Sequence, residues 1–378
     1  MTTVSAQARR AFLKNAAGAC AVASLPTLGM AQTAAPTVPS ERKFAPQSGV
    51  WRTFEVTTRV DIQKVQGATR VWLPIPSINS DWQKSLESSY ASNGTVRVAH
   101  ESRDGARMLY AEFAETEAKP FVELTSRIQT QNRQVDWNAK PAAAEDADTL
   151  KYWVKATDLL PTDGIVRKTA QEATKGAKTD VEKAQKLYDW IVANTYREPK
   201  VQGCGEGDIK TMLETGNLGG KCADLNALFV GMCRSVGIPA RDVYGLRVAP
   251  SAFGYKELGG NSASLKGAQH CRAEVYLKGH GWVGMDPADV AKVMRQETPE
   301  WIKSADNAVV APVKKALFGS WEGNWMAFNT AHDVKLPGAQ GPQLGFLMYP
   351  IGENAAGRLN SYAPDDFKYQ ISAREIKA

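Results

Sequence analysis

The residues best suited to chemistry lie in three short groups, which are Gly219-Gly220-Lys221-Cys222, Gln269-His270 and Met285-Asp286. A cysteine followed by a histidine and an aspartate supplies the residue types that thioester chemistry needs. The cysteine thiolate attacks a carbonyl carbon, the imidazole carries the proton, and the carboxylate orients the imidazole. Cys222, His270 and Asp286 are therefore the candidate catalytic residues, and the surrounding elements must bring them together.

Cys222 is predicted to open a helix that extends to Val236. Apolar residues recur at spacings of three and four, as on one helix face, at Leu225, Leu228, Phe229, Met232, Cys233 and Val236. Gly237 follows at the position of a left-handed cap. In the first turn of such a helix, free backbone N–H groups and the helix dipole favour negative charge. We therefore expect a lowered pKa for the Cys222 thiol and a Cys222 N–H that can donate to an oxyanion.

A structural role is the alternative for any cysteine, because cysteine is among the most buried residue types. We interpret Cys233 in that way, since it lies mid-helix on the apolar face. A zinc site built from Cys222, Cys233, His270 and Cys271 is a further alternative. It is disfavoured because neighbouring residues of a strand point to opposite faces and the chain has no Cys-x-x-Cys pair.

His270 and Asp286 are predicted to lie on a hairpin. Residues 268–277 alternate like a strand, residues 278–281 form a turn, and residues 282–285 return. Counting residues leaves the register open. A three-residue loop at 279–281 would set Asp286 opposite Glu274, too far from His270, and a two-residue turn would place it on the wrong face. A turn centred nearer Lys278, or a bulge, is needed for contact.

The three remaining histidines, His100, His280 and His332, are interpreted as surface or packing residues. The glycine-rich segment 197–220 lacks the Lys-Ser/Thr end of a phosphate-binding loop. It could line a substrate groove or form a plain surface loop. Cys204 and Cys271, which should flank the active site, are the pair that could form a disulfide if Cys222 is free; unpaired thiols are the alternative.

Four segments together resemble the core of the transglutaminase-like superfamily from about residue 203 to 290. They read Gly-Gly-Lys-Cys-Ala-Asp-Leu-Asn-Ala-Leu-Phe-Val, Arg-Ser-Val-Gly-Ile-Pro-Ala-Arg-Asp-Val-Tyr-Gly, Gln-His-Cys-Arg-Ala-Glu-Val-Tyr-Leu and Gly-Trp-Val-Gly-Met-Asp-Pro-Ala. The resemblance implies that Cys222 is the nucleophile, His270 the base and Asp286 its orienting partner, in a register that brings them together. It leaves the reaction open, because the superfamily includes protein cross-linkers, cysteine proteases, amidases and inactive relatives.

The predicted fold class is α+β, with a papain-like or transglutaminase-like catalytic core at residues 150–300. An all-β sandwich domain at 50–135 precedes the core, because residues 54–62, 108–113 and 121–128 read as strands. Residues 71–76 read as an edge strand, since Pro74 and Pro76 cannot donate to a sheet.

Thr179 and Glu182 predict a capping box that starts an amphipathic helix. Residues 301–378 are predicted to be a β-rich extension that packs on the core, with Trp321 and Trp325 buried.

The N-terminal residues 1–31 resemble a twin-arginine signal peptide. Arg9-Arg10 precedes a mildly apolar run that is too short for a comfortable membrane span, and Gly29-Met30-Ala31 offers a cleavage site. An unstructured tail with a chance Arg-Arg pair is the alternative. Residues 32–49 read as a tether.

Removing 1–31 lowers the formal charge from +6 to +3, and no basic cluster stands out along the sequence, so nothing points to nucleic acid.

The sequence therefore predicts a periplasmic, transglutaminase-like cysteine enzyme that acts on peptide or glutamine-type amides through a thioester. Acyl transfer to an amine and hydrolysis by a protease or amidase, for example of cell-wall peptides, both remain open. A non-catalytic binding module that keeps the fold is a third interpretation, against which the intact Cys222, His270 and Asp286 argue. The expected partner is a protein or peptide substrate, and no metal or organic cofactor is implied.

Overall fold

The computed structural model describes residues 42–101, 104–139, 143–363, 365 and 367–377. The predicted signal peptide and most of the predicted tether lie outside these residues. Seven α-helices are formed: α1 (Ala147–Tyr152), α2 (Gly164–Ala173), α3 (Asp180–Asn194), α4 (Ile209–Thr215), α5 (Cys222–Ser235), α6 (Pro287–Gln296) and α7 (Ala311–Ala316), within the part of the chain just given.

Seven strands precede the first helix and seven follow the last one, within the described residues. Those before the helix α5 are β1 (Arg52–Ile62), β2 (Thr69–Ile75), β3 (Gln83–Ser92), β4 (Thr95–His100), β5 (Arg107–Phe113), β6 (Phe121–Thr130), β7 (Arg133–Gln134), β8 (Tyr196–Arg197) and β9 (Gly219–Gly220). Those after it are β10 (Ala240–Arg247), β11 (Gln269–Leu277), β12 (Gly281–Met285), β13 (Ser320–Trp321), β14 (Trp325–Asn329), β15 (His332–Val334), β16 (Leu344–Phe346), β17 (Ile351–Asn354), β18 (Gly357–Leu359) and β19 (Phe367–Ile376).

The N-terminal strands build two antiparallel sheets, in the orders β19-β1-β6-β3 and β18-β17-β2-β5-β4. Strand β1 buries every second residue from Phe54 to Ile62, as its alternating pattern predicts. These side chains share one hydrophobic core with Leu73 of β2 and Leu109 of β5. The α+β class and the N-terminal strands are therefore confirmed.

The prediction that residues 71–76 form an edge strand is wrong. Strand β2 lies inside its sheet, between β17 and β5. Prolines are accepted there because β17 is short and pairs only with residues 70–72 of β2. At Pro74 the strand has a partner on one side alone, where Pro74 lies opposite Met108, so this position is locally like an edge, where proline is tolerated.

Residues 301–378 are shared between the catalytic core and the sandwich. Strand β14 joins the core sheet, whose order is β12-β11-β10-β14, and the predicted burial of Trp321 and Trp325 is confirmed. Strand β19, however, pairs with β1 over ten residues, and β17 pairs with β2. We therefore propose that the C-terminal strands β17 to β19 belong structurally with residues 50–135.

The core sheet carries helix α5 on one side, packed against β10 and β11. The helix ends as predicted, because Gly237 adopts a left-handed φ of 85° just after it. Helix α3 begins with the predicted capping box between Thr179 and Glu182. In the part of the chain that the structure describes, no helix is long and apolar enough to cross a membrane.

The burial of strand β19 generates a stability prediction. Ile371 lies in the sandwich core, and its backbone carbonyl accepts a hydrogen bond of 2.7 Å from the Leu265 N–H. We expect Ile371→Ala to lower the free energy of unfolding by about 2 to 5 kcal/mol, because it deletes buried methyl groups and leaves a cavity. Urea unfolding followed by circular dichroism measures this change.

Gln370→Ala is the matched control, since Gln370 is exposed on the same strand. Its effect should stay within about 0.5 kcal/mol. Equal unfolding midpoints for the Ile371 and Gln370 variants would show that β19 contributes nothing to the sandwich core.

Candidate active site

Cys222 is the first residue of α5 and lies at the floor of a cavity, with 3% of its surface exposed. The start of the helix is fixed by the carboxylate of Asp224. That carboxylate accepts hydrogen bonds from the backbone N–H groups of Lys221 at 2.8 Å and of Glu206 and Gly207 at 2.9 Å. A buried carboxylate bound to three N–H groups holds the glycine-rich loop against the helix that carries the thiol.

Gly205 shows why that loop is rich in glycine. Its φ of 90° lies in the left-handed region, and a Cβ at this position would overlap the Asp224 carboxylate. The loop can therefore approach the helix only with glycine here. Gly203 and Cys204 of the same loop line the cavity, which confirms the interpretation of this segment as part of a groove rather than as a plain surface loop.

His270 and Asp286 are in contact, with 2.6 Å between the His270 Nε2 and an Asp286 carboxylate oxygen. The hairpin register places Ala273 opposite Met285 and Leu277 opposite Gly281, so the turn is centred on Gly279. The turn therefore lies nearer Lys278 than in either of the two registers counted from the sequence, which is the direction that contact requires. Asp286 reaches His270 because it leaves the strand and caps helix α6, where its side chain accepts the Asp289 N–H at 3.1 Å.

A second carboxylate, which sequence reasoning missed, completes this group. The Asp289 carboxylate lies 3.3 Å from His270 Nε2 and 2.5 Å from the Arg247 guanidinium. Asp289 stands three residues after Asp286, which puts both on the first turn of α6. That Asp-x-x-Asp spacing after a strand is the signal that could have revealed it.

Buried polar groups hold the two aspartates and the histidine in place. The Asn226 amide donates to Asp286 at 3.1 Å and to the Cys271 carbonyl at 2.9 Å. The Trp325 indole donates to the His270 carbonyl at 2.9 Å. The Arg272 guanidinium lies 3.6 Å from Asp286 and stacks over the Trp325 ring at 4.6 Å. The positions of the ring and of both carboxylates are therefore fixed before any substrate binds.

The electrostatics of the group favour a thiolate beside an imidazolium. Burial and the Arg247 charge lower the pKa of His270, but Asp289 and Asp286 outweigh them and raise it to about 9. Burial opposes ionisation of Cys222, yet hydrogen bonds from Cys204, Cys271 and His270 hold the pKa of its thiol well below the ordinary value. Cys222 is thus the acidic thiol of the site, whereas burial raises the pKa of the core residue Cys233.

Cys204, Cys222, Cys233 and Cys271 are all free thiols in the structure. The suggested disulfide between Cys204 and Cys271 is therefore not formed. The Cys204 thiol instead donates to the Gln269 carbonyl at 3.2 Å. Cys233 is fully buried in mid-helix, which confirms its structural interpretation.

Among the described residues, one group has the spacing of metal ligands. It consists of His270, Asp286 and Asp289, whose ligand atoms lie within 4.8 Å of one another. The zinc set considered from the sequence, which included Cys233, does not come together as such a group in the described residues. Arg247 and Arg272 already face the two carboxylates. A cation at this point would have to compete with two guanidinium charges, so the arrangement suits an imidazolium better than a metal ion.

The other histidines lie elsewhere. His332 is buried, with its ring 3.4 Å from the Tyr244 hydroxyl and 3.5 Å from Asp242. His280 occupies the β11–β12 turn beside Trp137, and His100 is exposed at the end of β4. These positions confirm that the three residues serve packing or the surface.

The cavity above Cys222 has a volume of about 390 Å³, within the range of roughly 300 to 1,000 Å³ that small-ligand sites occupy. His270, Cys204 and Gln269 form its inner wall. Three tyrosines from the C-terminal segment, Tyr349, Tyr362 and Tyr369, line it as well. Sequence reasoning did not place these tyrosines here, because strand pairing between distant segments brings them in.

Comparison with known proteins identifies the family. A family model described as the transglutaminase-like superfamily core matches residues 167–287, a span that includes Cys222, His270 and Asp286. An uncharacterised protein of Haemophilus influenzae is 33% identical over 343 residues, which are 85% of this chain and 91% of that protein.

Two solved structures show weaker likeness. A proposed cysteine protease from Cytophaga hutchinsonii is 15% identical, with a TM-score of 0.49, and the match covers 87% of this chain and 99% of that one. The periplasmic domain of TgpA from Pseudomonas aeruginosa is 16% identical, with a TM-score of 0.31, over 68% of this chain and 94% of that one.

The pairing of a Cys222 thiolate with a His270 imidazolium, called the charge pair below, generates a prediction about Cys222 alkylation. Below pH 9 His270 keeps its proton and stabilises the thiolate. Cys222 should therefore react with iodoacetamide at pH 6 near its maximal rate, whereas a cysteine with a pKa near 8.5 would react about 300-fold below its own maximum. Peptide mapping by mass spectrometry distinguishes Cys222 from the other four cysteines of the sequence.

His270→Ala should raise the pKa of Cys222 and lower the alkylation rate at pH 6 by at least about tenfold, since one pKa unit changes the thiolate fraction tenfold. His280→Ala, in the β11–β12 turn, is the matched control and should keep the wild-type profile. A wild-type profile with its midpoint near pH 8.5, unchanged by His270→Ala, would contradict the charge pair.

Proposed function

The chain belongs to the transglutaminase-like superfamily, and on that premise we propose that it is a cysteine-dependent enzyme that attacks peptide or glutamine-type amides. The observation that carries the proposal is the contact geometry of the site. An acidic thiol at a helix start faces an imidazole whose far nitrogen is held 2.6 Å from a carboxylate. This arrangement is the one that nucleophilic acyl chemistry requires.

The proposed reaction begins with attack of the Cys222 sulfur on the amide carbonyl. Asp286 holds His270 at Nε2, so Nδ1 is the ring nitrogen left to exchange a proton with the thiol. The S–C bond forms as the carbonyl electron pair moves to oxygen. The oxyanion then collapses, the C–N bond breaks, and the proton from His270 goes to the leaving amine.

The backbone N–H of Cys222 is the proposed donor to the oxyanion. The neighbouring Ala223 N–H is occupied, because it donates to the Cys204 carbonyl at 2.9 Å. The N–H of Cys222 makes no hydrogen bond to other described residues, so it is free to bind a developing negative charge. Asp286 and Asp289 stabilise the imidazolium throughout the reaction.

The thioester is then released by water or by a primary amine. In both cases neutral His270 accepts a proton from the incoming nucleophile, and the C–S bond then breaks to release the Cys222 thiolate beside the re-formed imidazolium. Hydrolysis would make the protein a protease or amidase, and aminolysis would make it a cross-linking acyltransferase. The twin-arginine-like residues 1–31 support a periplasmic setting for either reaction, which is part of this proposal.

The test is incubation with peptide pools in the presence of a labelled primary amine. Transfer predicts incorporation of the label, and hydrolysis predicts cleavage or deamidation without incorporation. Cys222→Ala should lower either activity on the order of 10⁴-fold or more, because it removes the nucleophile. The wild-type rate should also decline above about pH 9, where His270 loses the proton that the leaving amine needs.

Cys233→Ala is the matched control, because Cys233 lies on the same helix but outside the cavity. It should keep the activity. A shift in intact mass that matches an acylated Cys222 would identify the thioester directly. Full activity in the Cys222→Ala variant would rule out the proposed chemistry.

A further inference from the structure

The cavity above Cys222 is lined by an unusual number of basic side chains. They are Arg197, Lys221, Arg247, Lys266 and Lys292, and among the residues that the structure describes no aspartate or glutamate shares the lining with them. The basic residues come from separate parts of the chain, which is why no basic cluster stands out in the sequence. Folding alone brings them to one cavity.

Two of the five basic side chains form ion pairs with carboxylates that do not line the cavity. Arg247 pairs with Asp289 at 2.5 Å and donates to the Leu258 carbonyl at 2.8 Å. Lys292 lies 3.4 Å from the Glu257 carboxylate and donates to the Glu257 carbonyl at 2.7 Å. These two residues are parts of the framework.

The other three basic residues have no carboxylate partner among the described residues. Arg197 donates to the neutral Gln296 side chain at 3.1 Å. Lys266 is exposed at the rim and lies over the Tyr369 ring at 5.2 Å. Lys221 directly precedes the nucleophile and forms no ion pair in the described part of the chain.

The basic side chains of the cavity also repel one another. Burial, followed by the nearby Arg197 charge, lowers the pKa of Lys221. Burial also lowers the pKa of Lys292, and the Arg247 and Arg197 charges lower it further. Like charges that face a partly desolvated cavity destabilise it when it is empty, and an anion between them removes that cost.

We propose that the substrate is an amide that carries a carboxylate beside the carbonyl which Cys222 attacks, and that Arg197, Lys221 and Lys266 bind this carboxylate. The inference rests on the proposed function and specifies its substrate class. Phosphate would satisfy the same charges, but thiol acylation needs a carbonyl, and the anionic group that peptides carry is the carboxylate. The three tyrosines provide hydroxyl donors and flat apolar surface for the rest of the substrate.

The carboxylate could come from two sources, an acidic side chain or the free end of a peptide. Both would be recognised by the same guanidinium and ammonium groups. The experiments must therefore distinguish an acidic side chain from a free C-terminal carboxylate. They must also distinguish a change in substrate preference from a loss of catalysis.

The first experiment probes the cavity without any natural substrate. Cys222 is alkylated with iodoacetate, which is anionic, and with iodoacetamide, which is neutral and of similar size. The triple variant Arg197→Gln, Lys221→Gln and Lys266→Gln should lower the iodoacetate-to-iodoacetamide rate ratio by about tenfold or more, because charged clefts concentrate counter-ions by such factors. His270 and the helix remain in both proteins, so the change reports the three cations.

The matched control is the triple variant Arg97→Gln, Lys119→Gln and Lys278→Gln. It removes one arginine and two lysines from exposed positions outside the cavity. Its rate ratio should equal that of the wild type. The wild-type ratio should also decline as salt is raised, since salt screens the attraction. An equal ratio in both triple variants would overturn the proposal.

The second experiment uses four peptide pools that are matched in length and randomised at other positions. Two pools differ in Glu against Gln beside the reacting amide, and two differ in a free carboxylate against a carboxamide at the C-terminus. The wild type should turn over one acidic pool at least about tenfold faster than its neutral match, and the cavity variant should lose the preference. The pool that responds identifies the source of the carboxylate.

The two experiments keep this inference distinct from the proposed function. Turnover of neutral and acidic pools at equal rates would refute the carboxylate while leaving the enzyme intact. No turnover of any pool, together with a cation-dependent alkylation ratio, would count against the proposed amide chemistry and still support an anion-binding cavity.

Discussion

The whole site depends on a balance of charge in a place with little water. His270, Asp286, Asp289, Arg247 and Arg272 are each almost completely buried. With His270 protonated, three positive groups face two carboxylates, and the third negative charge is the Cys222 thiolate. Ionisation of the thiol therefore completes a neutral cluster, and the fold supports it in spite of the desolvation that burial imposes.

This balance explains the support that surrounds the site. Removing one partner from a buried charge network costs about 3 to 5 kcal/mol, because a charge is left uncompensated. Asn226, the Trp325 indole and the Asp224 carboxylate each bind groups that would otherwise move the ring or the sulfur. Much of the hydrogen bonding between helix α5 and the core sheet thus serves to fix positions.

The sequence predicts the local parts of this architecture well. Helix α5, its left-handed cap and the β11–β12 hairpin follow from periodicity and glycine placement, because those signals act within a few residues. The register could not be obtained by counting, since Asp286 leaves the strand to cap a helix. Asp289 was missed although its spacing from Asp286 carries a local signal. Arg247 and the edge-strand error share another cause: each depends on which strand lies beside which, and short-range patterns carry no such information.

The C-terminal strand connects regions that the sequence suggested were separate. Strand β19 completes the sandwich through its pairing with β1, and Tyr369 of the same strand lines the cavity. The Ile371 carbonyl also holds the 262–265 loop, whose neighbour Lys266 lies at the cavity rim.

This linkage has a consequence for the order in which the protein matures on the ribosome. The proposed nucleophile Cys222 and its proposed partners His270 and Asp286 are translated well before the three tyrosines that line the cavity. A nascent chain therefore contains all three proposed reacting groups before the tyrosines that line the cavity have been translated. The cavity is completed only when strand β19 pairs with β1, so the proposed site cannot be complete before β19 has been translated.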